Sequence, residues 1–157
     1  MNPLRFSRGG DGLFTLEAEL WLQRRREDVF PFFADASNLE TITPPWLKFE
    51  VLPPRPIDMR VGVRIDYRLR LRGLPLRWQS EITAWEPPCR FVDEQRRGPY
   101  RAWIHEHTFE ERDGGTLARD VVRYDVIGGW LLHQLFVRRE VESIFHYRQE
   151  KLREVFQ

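Results

Sequence analysis

A chain of 157 residues, 41% hydrophobic and 13% aromatic, is long enough for one folded domain and too apolar for a disordered one. Its 25 basic and 24 acidic residues leave a net charge of +1, which argues against a dedicated nucleic-acid binder, since such a protein concentrates a basic excess on one face. The single cysteine, Cys89, excludes an intrachain disulfide and offers no zinc-ligand spacing.

Residues 1–12 show no periodicity and are expected to form a flexible arm ahead of one domain spanning 13–157. They lack the apolar core of a signal peptide, and no run approaches the ~18 apolar residues of a membrane span. A soluble, cytoplasmic protein without stable membrane insertion is expected. From residue 13 to 22 the chain alternates, with Phe14, Leu16, Ala18, Leu20 and Leu22 on one face, as a strand does. Over 26–34 the period changes: Val29, Phe30 and Phe33 make a helical face, and Glu27 and Asp28 sit near its positive N-terminal end. Asp35 or Ser37 can cap a second short helix that runs to about Ile42 and is stopped by Thr43-Pro44-Pro45.

Residues 49–52 read as a short strand. Val61, Val63, Ile65, Tyr67, Leu69 and Leu71 then alternate with charged residues, Gly73 turns the chain, and Leu74, Leu76, Trp78, Ser80, Ile82 and Ala84 continue the inner face of a hairpin partner. Another strand covers 90–95. After Gly98-Pro99 a further strand places Trp103, His105, His107 and Phe109 on one face, and Asp113-Gly114-Gly115 turns out of it. In the strand that follows, Thr116, Ala118, Asp120, Val122, Tyr124 and Val126 are taken as inward because the opposite face carries more charge. A helix is expected over 130–156, roughly 40 Å long at ~1.5 Å per residue. Its apolar stripe is Val137, Val141, Ile144, Phe145, Leu152 and Val155, extended towards its start by Leu131 and Leu135.

The order predicts an α+β fold: a curved antiparallel sheet of about seven strands wrapped around a long C-terminal helix, with two short helices after the first strand. This pattern resembles the START-like helix-grip superfamily, also called SRPBCC, which includes polyketide cyclase/dehydrase-like proteins. The stretches Asn38-Leu39-Glu40-Thr41-Ile42-Thr43-Pro44-Pro45-Trp46-Leu47 and Gly98-Pro99-Tyr100-Arg101-Ala102-Trp103-Ile104-His105-Glu106-His107-Thr108-Phe109 are similar to a bacterial ligand-binding subgroup of it. Some members of that subgroup carry names borrowed from sugar-nucleotide epimerases, which points to fusion partners. The resemblance implies a cavity between sheet and helix and an entrance near Trp46. It does not by itself decide among carriers, receptors and enzymes.

Two histidines between large aromatics are an unusual inner lining for a strand, and three chemistries suit them. Two His one residue apart could share a metal ion, with Asp93 or Asp120 as third ligand, but no dedicated metal loop is present, and neither metal nor cofactor is expected. A carboxylate such as Asp120 could orient His105 or His107 for acid/base catalysis, with Tyr67 or Tyr124 donating to a substrate carbonyl, as in a cyclase or dehydratase. The preferred reading is binding without turnover of a hydrophobic or amphipathic molecule such as a lipid, quinone or polyketide. Tyr67, Leu69, Trp78, Trp103 and Phe109 then form the apolar wall, and His105, His107, Asp120, Tyr124 and Arg148 meet the polar end. For Arg148 the alternative is a stem that packs and a head that reaches the rim. A protein partner or a homodimer stays open, and an interaction module without ligand is the third class.

Overall fold

The computed structural model describes residues 3–157. Strands β1 (Arg5–Arg8) and β2 (Phe14–Leu22) lead to helices α1 (Arg26–Ala34) and α2 (Leu39–Ile42). Strands β3 (Glu50–Val51), β4 (Arg64–Leu71), β5 (Leu74–Glu86), β6 (Arg90–Arg97), β7 (Ala102–Arg112) and β8 (Gly115–Asp125) follow. The chain ends in α3 (Gly129–Leu132), a π-helical turn (His133–Val137) and α4 (Arg138–Phe156).

Among the described residues the strands form one antiparallel sheet of eight, ordered β1-β2-β8-β7-β6-β5-β4-β3. The expected seven become eight because Arg5–Arg8 pairs with β2, Arg5 opposite Glu17 and Arg8 opposite Phe14. That part of the anticipated flexible arm is therefore an edge strand; Met1 and Asn2 lie outside the described residues. Its few apolar side chains gave no readable alternation, and backbone hydrogen bonding to β2 supplies what the pattern lacks. The β4–β5 and β7–β8 hairpins close through two-residue turns, Arg72-Gly73 and Asp113-Gly114, all four with positive φ. That backbone hand matches the right-handed twist of the flanking strands, and it is the reason glycine occupies the second position of each.

The β2 and β8 inner faces are buried as their alternation predicts, Leu16, Val122 and Tyr124 completely. In β5 the alternation slips: the register shifts between Ile82 and Ala84, so Trp85 replaces the expected Ala84 opposite Phe91 on the inner face. A β-bulge inserts one residue and inverts which side chains point inward beyond it. Leu74, also expected inward, is 70% exposed at the hairpin tip.

The C-terminal helix covers the sheet with Val141, Phe145, Leu152 and Phe156 buried. Two parts of the expected stripe are corrected. Val155 is exposed while Phe156 is buried, and Leu131 and Leu135 face out rather than in. Stepping back from Val141 by fours leads to Val137 and His133, and His133 is the buried one; at about 3.6 residues per turn Leu135 falls far off that line. No helix among the described residues is long and apolar enough to cross a membrane.

Candidate functional site

Strand register builds the site. Residues directly opposite in antiparallel strands share a face, so Ile82, Asp93, His105, Val122 and Leu16 form one rung across the inner surface. Trp85, Phe91, His107, Asp120 and Ala18 form the next. Hydrogen bonds run diagonally between the rungs. His105 Nε2 lies 2.9 Å from Asp120 Oδ1, and His107 Nε2 lies 2.8 Å from Asp93 Oδ2. The two imidazoles stack with centroids 3.8 Å apart, and Phe91 stacks on the other side of His107 at 4.1 Å. His107 Nδ1 is also 2.9 Å from Asp120 Oδ1, at an angle that makes it an ion-pair contact rather than a hydrogen bond. From α4, Arg148 donates to both oxygens of Asp120, Nε to Oδ2 at 3.2 Å and Nη2 to Oδ1 at 3.3 Å. Its guanidinium lies 5.3 Å from the ring centre of Phe33.

Burial opposes every charge in this cluster, so the partners decide the protonation states. Burial would raise Asp120, but Arg148, followed by His105 and His107, holds its carboxyl well below the usual range. For Asp93 the hydrogen bond from His107 and the nearby cations likewise outweigh burial and leave the carboxyl lowered. Burial would lower His107, yet its two carboxylates raise it; His105 is lowered, by burial first and then by His107. The resulting cluster sets the cation Arg148 against the anions Asp93 and Asp120, with His107 shifted towards its charged form and His105 towards its neutral one. Because a carboxylate can only accept, neutral His105 donates through Nε2 and keeps Nδ1 as an acceptor.

The cluster forms one wall of a cavity of about 190 Å³ between the sheet and α4. Of the residues expected from sequence, Tyr67, Leu69, Trp78, Trp103, His105, His107 and Arg148 line it. Asp93 lines it too. Three others sit behind the wall. Phe109 packs in the core against Phe30 and Phe33, and Asp120 holds the histidines and Arg148 from behind. The Tyr124 hydroxyl pairs with His133 Nε2 at 2.7 Å. Arg148 is buried and engaged with Asp120, so its head does not reach the rim. Tyr100, Phe33 and Phe91 line the cavity without having been singled out. Phe91 could have been found from its rung with His107; Tyr100 sits ahead of β7 and gave no periodic signal. Burial raises the phenols of Tyr67 and Tyr100 above their ordinary range, so both are donors.

Trp46 stands on the turn Pro45–Leu47, about half exposed, edge-on to Tyr147 at 5.8 Å. It does not plug the core, whereas Thr43 and Leu47 on either side of it line the cavity. Asp93, His105 and His107 each offer a ligand atom within 4.8 Å of the others, an arrangement able to hold a metal ion. The Arg148 guanidinium, engaged with neighbouring Asp120, sets positive charge against such an ion.

An antiparallel sheet gripping a long C-terminal helix, with a mostly apolar cavity between them, defines the helix-grip, START-like class. The chain belongs to the polyketide cyclase/dehydrase and lipid transport family, whose model matches residues 22–152. Among solved structures it is similar to protein Ms6760 from Mycobacterium smegmatis, at 23% identity and TM-score 0.70, over 98% of this chain and 97% of that one. Ginseng major latex-like protein 151 from Panax ginseng shares the fold at 9% identity and TM-score 0.67, over 90% of this chain and 96% of that one. A nucleoside-diphosphate sugar epimerase from Corynebacterium glutamicum matches at 22% identity and TM-score 0.64; 88% of this chain covers 28% of that one. The likeness is thus to one part of that longer chain. No match to a curated protein was found.

Proposed function

We propose that the protein binds a small amphipathic molecule in the cavity and carries, senses or protects it without turning it over. One observation carries this reading: an apolar cavity, about 190 Å³ in volume, whose polar wall is already charge-balanced by its own side chains. Since an apolar cavity of about 150 Å³ accommodates benzene, the space fits a single ring with a polar substituent. It favours the ring of a quinone or polyketide-like compound over a whole diacyl lipid. Trp78 and Trp103, edge-on at 5.4 Å, offer aromatic faces, Tyr67 and Tyr100 offer donors, and His105 offers an acceptor for a ligand hydroxyl. Trp46, between cavity-lining Thr43 and Leu47, is the piece that would move for entry.

Native mass spectrometry of the protein from its own host tests the proposal, with a co-purifying ring compound as the expected result. A screen of quinones and hydroxylated aromatics by thermal shift that finds no ligand would sink it in favour of an interaction module. For a hydroxylated ring, His105→Ala should weaken binding about three- to tenfold, the worth of one neutral hydrogen bond. The competing reading, a cyclase or dehydratase, rests on neutral His105 held by Asp120 in the manner of a general base. It requires Asp120→Asn to abolish turnover of a polyketide-like substrate while fold and ligand uptake survive.

A further inference from the structure

Between Asp125 and Glu140 the sequence has no acidic residue, and its large apolar side chains face outward. Ile127, Trp130, Leu131, Leu132, Leu135 and Phe136 are each between 44% and 65% exposed. Single exposed leucines need no explanation, but six large apolar groups within ten residues form a continuous surface of the kind that marks an interaction site. The local fold holds them there. Gly128 and Gly129, both with positive φ, turn the chain out of β8, and the π-helical turn aims His133 inward onto Tyr124 and Phe14. With a polar residue taking the inward position, the apolar ones occupy the outer face.

The charge beside this surface is mostly basic, with the carboxylate of Glu140 coupled to it through Arg72. Arg138 and Arg139 follow it directly and are exposed. Arg72, on the β4–β5 turn, lies 4.8 Å over the ring of Phe136, and Arg138 lies 4.9 Å over Phe6 of β1. Elsewhere on the sheet several arginines sit on carboxylates, among them Arg68 on Glu50 and Arg119 on Glu17. Arg72 and Arg138 stack on rings, a contact that uses the face of the guanidinium and leaves its N–H edge able to meet anions.

We propose that this surface docks the protein peripherally on an anionic lipid bilayer. Trp130, Leu131, Leu135 and Phe136 enter the interfacial layer, and Arg72, Arg138 and Arg139 meet lipid phosphates. An amphipathic helix whose apolar face bears tryptophan and leucine and whose flank is basic has the chemistry of interfacial binding, and it needs no membrane-spanning length. A second copy fits less well, because a two-fold contact through the patch would bring the same arginines near one another. The proposal does not depend on the cavity's ligand. The patch does border one end of the cavity: Leu71, just before Arg72, and Val141, one turn after Val137, both line it.

Co-sedimentation of the full chain with phosphatidylcholine vesicles, with and without phosphatidylglycerol, tests it. The expected result is binding to the phosphatidylglycerol vesicles that falls as salt is raised. Arg138→Gln and Arg139→Gln should each weaken binding about fivefold. Leu131→Ser with Leu135→Ser should abolish it while circular dichroism and the melting temperature stay unchanged; His105→Ala, in the cavity, should leave it intact. Absence of vesicle binding by the natural chain, or full binding by the leucine variant, overturns the proposal. So does sedimentation showing a dimer, dissolved by the leucine variant, in a chain that ignores both vesicle types: the face is then a contact between copies. Retention by an acidic protein surface without vesicle binding overturns it likewise.

Discussion

Two segments of this chain hold side chains where water alone would not put them. On β7, His105 and His107 are buried among aromatic rings; on α3 and the π-helical turn, Leu131 and Leu135 stand in solvent. The difference lies in how each departure is resolved. Each histidine meets a carboxylate of β6 or β8 through Nε2, and an arginine of α4 holds Asp120, so the charges of the cluster are paired within the fold. The leucines find no such closure in the fold, and the charge beside them is mostly basic. A buried polar cluster is therefore an internal matter of stability and ligand polarity, whereas an exposed apolar one directs attention outward.

The sharpest way to break the first half of this contrast is Asp120→Ala. It strands Arg148 and His107 without their shared counter-charge, and urea denaturation should register a loss of about 3–5 kcal/mol, as when one partner of a buried pair is removed. Adding Arg148→Met should recover part of that loss. The second half is sharpened by two leucines on one helical segment. Leu152→Ala should cost about 2–5 kcal/mol, while Leu131→Ala should stay within about 0.5 kcal/mol in the same assay. Equal effects would mean that Leu131 is packed after all. Tyr124→Phe leaves the buried Nε2 of His133 without its hydroxyl partner and should cost about 1–3 kcal/mol by thermal unfolding.

The smallest effect is the pH dependence, and the two histidines pull it in opposite directions. His107 has a folded pKa above its unfolded value of about 6.5, so its contribution is complete below that pH and is lost as pH rises through the folded pKa. His105 is shifted down, so below about pH 6.5 the unfolded chain takes up a proton that the folded chain refuses, and stability falls until the folded pKa is reached. Melting temperatures measured across this range should show His107→Gln flattening the alkaline decline and His105→Gln flattening the mildly acidic one. The depressed Asp120 contributes above its unfolded pKa of about 3.9 and loses that contribution only as pH falls towards its folded value, well below the histidine range.

Much of the architecture was legible in residue order. Period-two alternation placed β2, β4, β7 and β8 with their inner faces, and the change of period at residue 26 marked α1. Hairpin turns announced themselves through glycine at positions that need positive φ. Alternation also put the two histidines on one face with Trp103, and the same parity put Asp120 and Tyr124 inward. What parity could not say is how far each residue reaches into the cavity. Register and the covering helix settle that. Asp120 and Tyr124 share the inner face with His107 and Trp103, yet Arg148 and His133 press down on them and close them off.

Local pattern thus determined most of the elements and many of their buried faces, because side-chain periodicity follows from backbone geometry alone. Tertiary structure decided the rest. The bulge in β5 exchanged Ala84 for Trp85, the diagonal bonding paired His105 with Asp120 and His107 with Asp93, and the π-helical turn faced Leu131 and Leu135 outward. Each of these depends on contacts between residues distant in sequence, or on a slip in a local repeat. A single period read along the chain does not carry such information, because it assumes the repeat continues.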